Sequence, residues 1–158
     1  MLSLFKKKGA QTSLSNSENQ KGVIGEYYES GKPVIVKFVN EIPNDETMKN
    51  LPWLTIISWK YDADINNGMP PKEVNKKMIN LENALEVFYS IDSIRWIYNR
   101  TGNGLKEFNY QISDRDQFIK KLNKALRGHE RYPIEITFYE DSDWREFRKL
   151  VKDFIDKS

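Results

Sequence analysis

Trp53-Leu-Thr-Ile-Ile-Ser-Trp-Lys-Tyr61, then Asp62-Ala-Asp-Ile-Asn-Asn-Gly-Met69, then Pro70-Pro71 and a periodic segment running to Glu86, together decide the fold. The first part is dense in β-branched and aromatic residues and reads as a buried strand. The second is a turn-rich loop. In the third, Pro71 opens a helix where a missing N–H costs nothing. Val74, Met78, Leu81, Leu85 and Phe88 then recur at spacings of four and three, one apolar stripe that ends near Tyr89. Such a stripe of Met and aromatic residues reads as core rather than as a cofactor site.

Downstream the same grammar repeats. Ile94 to Arg100 and Leu105 to Ile112 read as two strands around Thr101-Gly102-Asn103-Gly104. A two-residue loop at Asn103-Gly104 would pair Trp96 with Gln111 and put the apolar sets on opposite faces. A three-residue loop, Gly102-Asn103-Gly104, pairs Tyr98 with Phe108, Trp96 with Tyr110 and Ile94 with Ile112, and is the expectation. Ser113 with Asp116 resembles a capping box. Phe118, Leu122, Ala125 and Leu126 give the inner face of a second helix, and Gly128 suits its C′ position. Ile134, Ile136 and Phe138 alternate along a further strand. Asp141 or Ser142 caps a last helix with the stripe Trp144, Phe147, Leu150, Val151 and Phe154.

Upstream, Val23 to Glu29 and Pro33 to Asn40 form a hairpin split by Ser30-Gly31-Lys32, and residues 41–52 read as a loop. Residues 1–21 read as a disordered basic and polar tail, leaving 22–158 as a single domain. From Trp53 the order is β-α-β-β-α-β plus a closing helix. The expected fold class is α+β: a ferredoxin-like split β-α-β-β-α-β core, with strand order last, first, third, second, an added N-terminal hairpin and a C-terminal helix.

Composition narrows function. The chain has 158 residues and no cysteine, so there is no disulfide framework and no thiolate metal site, which fits a reducing, cytoplasmic setting. The net charge is +2, but Lys6, Lys7, Lys8 and Lys21 stand against Glu18 alone in the tail. The rest is close to neutral, unlike a body built to bind nucleic acid. The apolar run before the first lysines is too short for a signal segment, and no run approaches a membrane span.

Ser58-Trp-Lys-Tyr61, Asn66-Asn-Gly-Met-Pro70, Gly102-Asn-Gly104 with Glu107-Phe108, Gly128-His129, Tyr132-Pro133, and Phe138-Tyr-Glu-Asp141 with Trp144 resemble, in that order, a bacterial domain-of-unknown-function family, number 695, over roughly residues 50–150. The resemblance implies no catalytic residues. Some members of that family are joined to a domain like the regulator of ribonuclease activity B, which implies an RNA-associated role as one alternative.

The remaining motifs are weighed one by one. Asp62-x-Asp64-x-Asn66 with Glu73 imitates a calcium loop, but Asn67 holds the place of the sharp-turn glycine and Gly68 comes one later. An Asx-rich turn capping a helix is the simpler reading. His129 is the single histidine and stands beside a helix end. Glu140, Asp141, Asp143 and Glu146 suit a helix start, and the basic run at 145–152 suits a solvated helix face. No metal or other cofactor is expected.

The topology should bring segments 62–70, 101–104 and 127–133 to one edge of the sheet. Asn66, Asn67, Gly68, Met69, Asn103, Arg127, His129 and Tyr132 are the candidate rim for a protein partner. The leading expectation is a non-enzymatic protein-binding domain, such as an inhibitor or immunity protein that neutralises a toxin or nuclease. Against the RNA alternative, the expected outward sheet face (Ser58, Lys60, Arg95, Asn99, Glu107, Asn109, Gln111, Glu135 and Thr137) offers amides and carboxylates in place of stacking aromatics. An enzyme would centre on His129 with Asp62 or Asp64.

Overall fold

The computed structural model describes residues 11–14 and 21–155. In chain order these form β1 (Gln11–Leu14), β2 (Lys21–Glu29), β3 (Lys32–Val39), α1 (Asp45–Asn50), β4 (Trp53–Lys60), α2 (Lys72–Leu85), a 3-10 turn (Glu86–Ser90), β5 (Ile94–Gly102), β6 (Leu105–Ile112), α3 (Arg115–Ala125), β7 (Ile134–Glu140) and α4 (Arg145–Ile155). The fold is mixed α+β around one antiparallel sheet ordered β1-β2-β3-β5-β6-β4-β7. The four strands from Trp53 onward therefore stand as β7-β4-β6-β5. The N-terminal hairpin continues the sheet, because β3 pairs with β5. β1 falls within the segment 1–21 read as a tail; apart from it and Lys21, that segment lies outside the described residues.

One face of the sheet carries α2 and α3. Ile57 and Trp59 of β4, Phe108, Tyr110 and Ile112 of β6, and Met78, Leu81, Leu85, Phe118 and Leu122 of the helices are all buried. The ring of Phe88, just past α2, meets Tyr110 edge-on at 5.5 Å and Phe118 at 5.3 Å, and Phe118 meets Phe138 edge-on at 6.2 Å. These are favoured aromatic geometries. On the other face, α4 lays Phe147, Leu150, Val151 and Phe154 on the β2-β3-β5 half. Phe154 packs on Phe38 at 5.3 Å and lies so close over Gly25 that a Cβ there would overlap its ring.

Four sequence expectations change. The hairpin between β5 and β6 has a two-residue turn, Asn103-Gly104, with φ of 50° and 81° and Gly102 paired to Leu105. This is the left-handed pair of an Asn-Gly turn that matches strand twist. Trp96 still pairs with Tyr110 and Ile94 with Ile112, because a bulge at Ile97 takes up the extra residue. Tyr98 consequently faces Asn109 instead of Phe108. Residues 45–50, inside the expected loop, form α1, since the Asn44 side chain accepts the Thr47 N–H at 2.8 Å and Asp45 and Glu46 favour the first turn. The cap of α3 is Asp114, one residue past Ser113; its side chain accepts the Gln117 N–H at 2.9 Å. The expected outward polar face is also not all outward: Asn99, Asn109 and Gln111 are buried. The bulge turns Asn99 to the helix side, where it accepts the Trp96 Nε1–H at 2.8 Å.

Candidate functional site

The rim residues fall into two clusters. Asn67 takes the left-handed conformation at φ 51°, which turns the loop so that Gly68 N–H reaches Ala63 O at 2.7 Å. Gly68 O then accepts the Gly104 N–H at 3.1 Å and the Tyr61 hydroxyl at 2.6 Å. The 62–70 loop and the hairpin turn are thus locked together. The Asn66 side chain donates to Pro70 O at 3.2 Å, and the N–H of half-buried Met69 donates to Asn66 O at 2.9 Å. The Asp62 carboxylate accepts the Asp64 N–H at 2.9 Å, an Asx turn. Asn67 and Asn103 stay exposed.

The second cluster sits past α3. His129 Nδ1 lies 2.9 Å from the Tyr132 hydroxyl, and Tyr132 packs on Trp59 at 5.4 Å between ring centroids. His129 borders a shallow hollow with Asn80, Asn83 and Ala84 of α2, and Arg127 is exposed beside it. Lys77 of α2 pairs with Glu130 at 2.9 Å.

A further concavity lies on the sheet face that α4 covers only in part. α4 takes the β2-β3-β5 half and leaves a cavity of about 620 Å³ over the β6-β4-β7 half, a size that ordinarily encloses a small ligand or a few side chains. Leu54, Ile56 and Tyr98 supply its apolar floor, and Tyr139 stands at its side. Among the described residues its walls carry Glu107, Glu140, Asp141, Asp143 and Glu146 and one cation, Arg145.

Local chemistry fixes these walls. Asp141 makes three hydrogen bonds to separate parts of the chain: its N–H donates to Pro52 O at 2.8 Å, its Oδ1 accepts the Arg145 N–H at 2.9 Å, and its Oδ2 accepts from Gln111 Nε2 at 3.3 Å. Trp144 follows at a left-handed φ of 54°, fully buried, with Nε1–H shared between Met48 O at 3.2 Å and Leu51 O at 3.0 Å. A bulky residue in that conformation persists only where its surroundings hold it; here α1 and the start of α4 do so. The carboxylates of the β7–α4 turn are thereby set on the cavity.

Beneath that floor, two residues that do not line the cavity depart from an ordinary core. Asn109 and Gln111 are fully buried, and Asn109 Oδ1 and Nδ2 and Gln111 Oε1 have no hydrogen-bond partner among the described residues. Strand alternation puts both on the cavity side: Asn109 is paired across to Ile56 and Tyr98, and Gln111 to Leu54. Burial pushes the Glu107 carboxyl above its ordinary range despite the opposing pull of Arg100. That cation is committed to Glu29, at 2.5 and 3.0 Å, and to the Tyr27 hydroxyl at 3.1 Å. Burial likewise pushes the Tyr98 phenol up. Among the described residues no three His, Asp or Glu side chains converge to hold a metal ion, and no helix is long and apolar enough to cross a membrane.

Sequence reading treated the carboxylates at 140–146 as a helix start and the amides at 109 and 111 as a solvated face. The signal it lacked was which half of the sheet α4 covers. The family model described as a family of unknown function, DUF695, matches residues 29–151. That span reaches back through β3, beyond the stretch carrying the motifs. No curated protein matches the chain. The chain belongs to DUF695.

Proposed function

We propose that this DUF695 member is a non-enzymatic protein-binding domain, of the inhibitor or immunity-protein kind, that presents an acidic cleft to a basic partner. The single observation carrying this reading is the half-covered sheet face, whose cavity is walled, among the described residues, by five carboxylates and one arginine. Charges lining a concave wall focus their field and draw a partner of opposite sign. The same charge repels a phosphate backbone, so this face favours a basic protein over RNA. The architecture is read as a ferredoxin-like split β-α-β-β-α-β unit, β4-α2-β5-β6-α3-β7, widened by the N-terminal strands; the strand order β7-β4-β6-β5 supports it.

Glu140, Asp143 and Glu146 are exposed, so their charge can be reversed without disturbing the core, whereas Asp141 is structural and must be spared. The chain carrying Glu140→Lys, Asp143→Lys and Glu146→Lys should stay folded, its melting temperature lowered only modestly by the loss of favourable charge at the start of α4. It should also lose at least tenfold affinity for a basic protein that the native chain binds, with the native affinity falling steeply as salt is raised. Unchanged affinity in that variant, with affinity lost instead on alanine at Asn67, Asn103 and His129, would move the contact surface from the cleft to the rim.

A further inference from the structure

We propose that β7 pairs edge to edge with β7 of a second copy of this chain, antiparallel about a two-fold axis at Thr137. β7 closes one end of the sheet: it bonds to β4 on one side, and among the described residues nothing bonds to its other side. Two hydrogen bonds fix which main-chain groups face outward. In an antiparallel ladder, opposed residues exchange both bonds at alternate positions. Asp141 N–H donates to Pro52 O at 2.8 Å, in line with the β4–β7 register, and Tyr61 N–H donates to Gly104 O at 2.9 Å, in line with the β4–β6 register. Odd-numbered residues of β4 therefore bond to β6 and even-numbered ones to β7, where Glu135, Thr137 and Tyr139 answer them. Ile136, Phe138 and Glu140 are left with N–H and C=O directed away from the sheet. Ile134 adds its C=O, its N–H being held by Tyr132 O at 2.8 Å.

Natural sheets blunt such an edge with proline, lysine, a bulge or a short strand. β1, at the far end, has 4 residues. β7 has 7, contains neither proline nor lysine, and pairs with β4 in unbroken register from Ile134 to Glu140. Its sequence also fits its own copy. Pairing over the whole strand sets Thr137 against the same residue of the second copy, Ile136 against Phe138, Glu135 against Tyr139, and Ile134 against Glu140. The outward groups of Ile136 and Phe138 then oppose one another, as antiparallel bonding requires. β-Branched and aromatic residues meet across the join, which favours pairing, and each glutamate faces an uncharged residue. Ile134, Ile136 and Phe138 are half-buried on the helix-covered face, and Tyr139 is 53 % exposed on the cleft face; the added strand gives both rows a neighbour. Directly opposed residues share a face, so both clefts open on the same side of one continuous sheet, with Tyr139 and Glu140 of each copy beside the join. This pairing is independent of what the clefts bind.

The test uses the full chain, its mass followed by analytical ultracentrifugation from micromolar to millimolar concentration, alongside amide hydrogen exchange. A dimer should appear as concentration rises. The amides of Ile136, Phe138 and Glu140 should then exchange at least tenfold more slowly, while those of Glu135, Thr137 and Tyr139, already bonded to β4, should not change. The chain has no cysteine, so Thr137→Cys introduces one thiol per copy. Across the axis its Cα lies about 4.5 Å from its mate, within disulfide reach. Glu135→Cys leaves a gap of about 13 Å, four residue steps along the strands. Mild oxidation should therefore link the first variant at least tenfold faster than the second. Thr137→Glu, which sets like charges against each other, should weaken the dimer several-fold, and mixing it with Thr137→Lys should restore pairing. A monomer at every concentration, a dimer that leaves the three outward amides unprotected, or equal linking of the two cysteine variants would each overturn the proposal. Protection of those amides only on adding an extended peptide from another protein would overturn the second copy as occupant. The exchange measurement needs no substitution, so a misfolded variant does not spare the proposal.

Discussion

The two faces of this sheet are built to different standards. On the helix-covered face, aromatic rings of the helix layer and of β6 and β7 interlock, and the buried Asn99 accepts from Trp96. Thr55 Oγ1 is the exception there. On the opposite face α4 completes a similar apolar layer over β2, β3 and β5, then stops. Over β6, β4 and β7 carboxylates stand around a cavity, and beneath its floor three amide atoms are buried with no partner among the described residues. The same strand, β6, serves both: Phe108, Tyr110 and Ile112 point to the helices while Glu107, Asn109 and Gln111 point to the cleft. Stability is concentrated on one side of β6, and polar groups whose burial opposes folding are concentrated on the other. Natural folds confine most departures from local rules to a few places, and here they gather on one side of β6.

The largest effect should fall on the first face. Trp59 is 3 % exposed and packed on Tyr132. Trp59→Ala should cost about 3–5 kcal/mol, the range for truncating a buried large aromatic, read from the midpoint of denaturant unfolding. A loss below about 1 kcal/mol would mean that the two faces do not differ as the packing implies.

An effect of opposite sign belongs to the second face. Asn109→Leu removes two unpartnered polar atoms and adds apolar volume where Ile56 and Tyr98 flank the site. Replacing an unsatisfied buried amide by an apolar group of similar size should stabilise the fold by about 1 kcal/mol, seen as a higher unfolding midpoint at unchanged slope. A loss of the size seen for Trp59→Ala would show that Asn109 is a satisfied structural residue and erase the contrast.

Much of this contrast was legible in the sequence, and the part that was not has identifiable causes. Period and punctuation located the strands from Val23 onward and the helices at 72–85, 115–125 and 145–155, because their apolar stripes are long enough to show. The turn at 103–104 was misread because alternation alone demanded a register that an Asn-Gly turn could not supply. The bulge at Ile97 satisfies both demands, and a bulge leaves no periodic trace. The helix at 45–50 is too short for a stripe and was signalled only by Asn44 as its cap. The cleft was half legible. Its carboxylates and amides were noticed, but the pairing of Tyr98 with Asn109 is decided by the bulge. How much of the face α4 leaves uncovered depends on the left-handed turn at Trp144, and no local propensity predicts a tryptophan there.

The smallest effect sharpens the comparison at Glu107, where cleft and core meet. Burial raises its folded-state pKa above the ordinary glutamate value of about 4.3. Between those two values the folded chain holds a proton that the unfolded chain has released. Stability therefore falls as pH rises through that window and stays lower above it. Glu107→Gln cannot ionise and removes this falling leg. The variant and the native chain should melt at the same temperature below the ordinary carboxylate range, where both side chains are neutral, and the variant should melt slightly higher at neutral pH. Arg100, directly across from Glu107 in the β5–β6 pairing, is the group that could reverse the sign. If its attraction outweighed burial, the variant would melt lower at neutral pH and the difference would vanish in acid. The bidentate contact between Arg100 and Glu29 argues for the first outcome, since a guanidinium already paired with one carboxylate has less to offer a second. Adding Glu29→Gln to the native chain then provides the control: with Arg100 released toward Glu107, the pH-dependent loss should shrink.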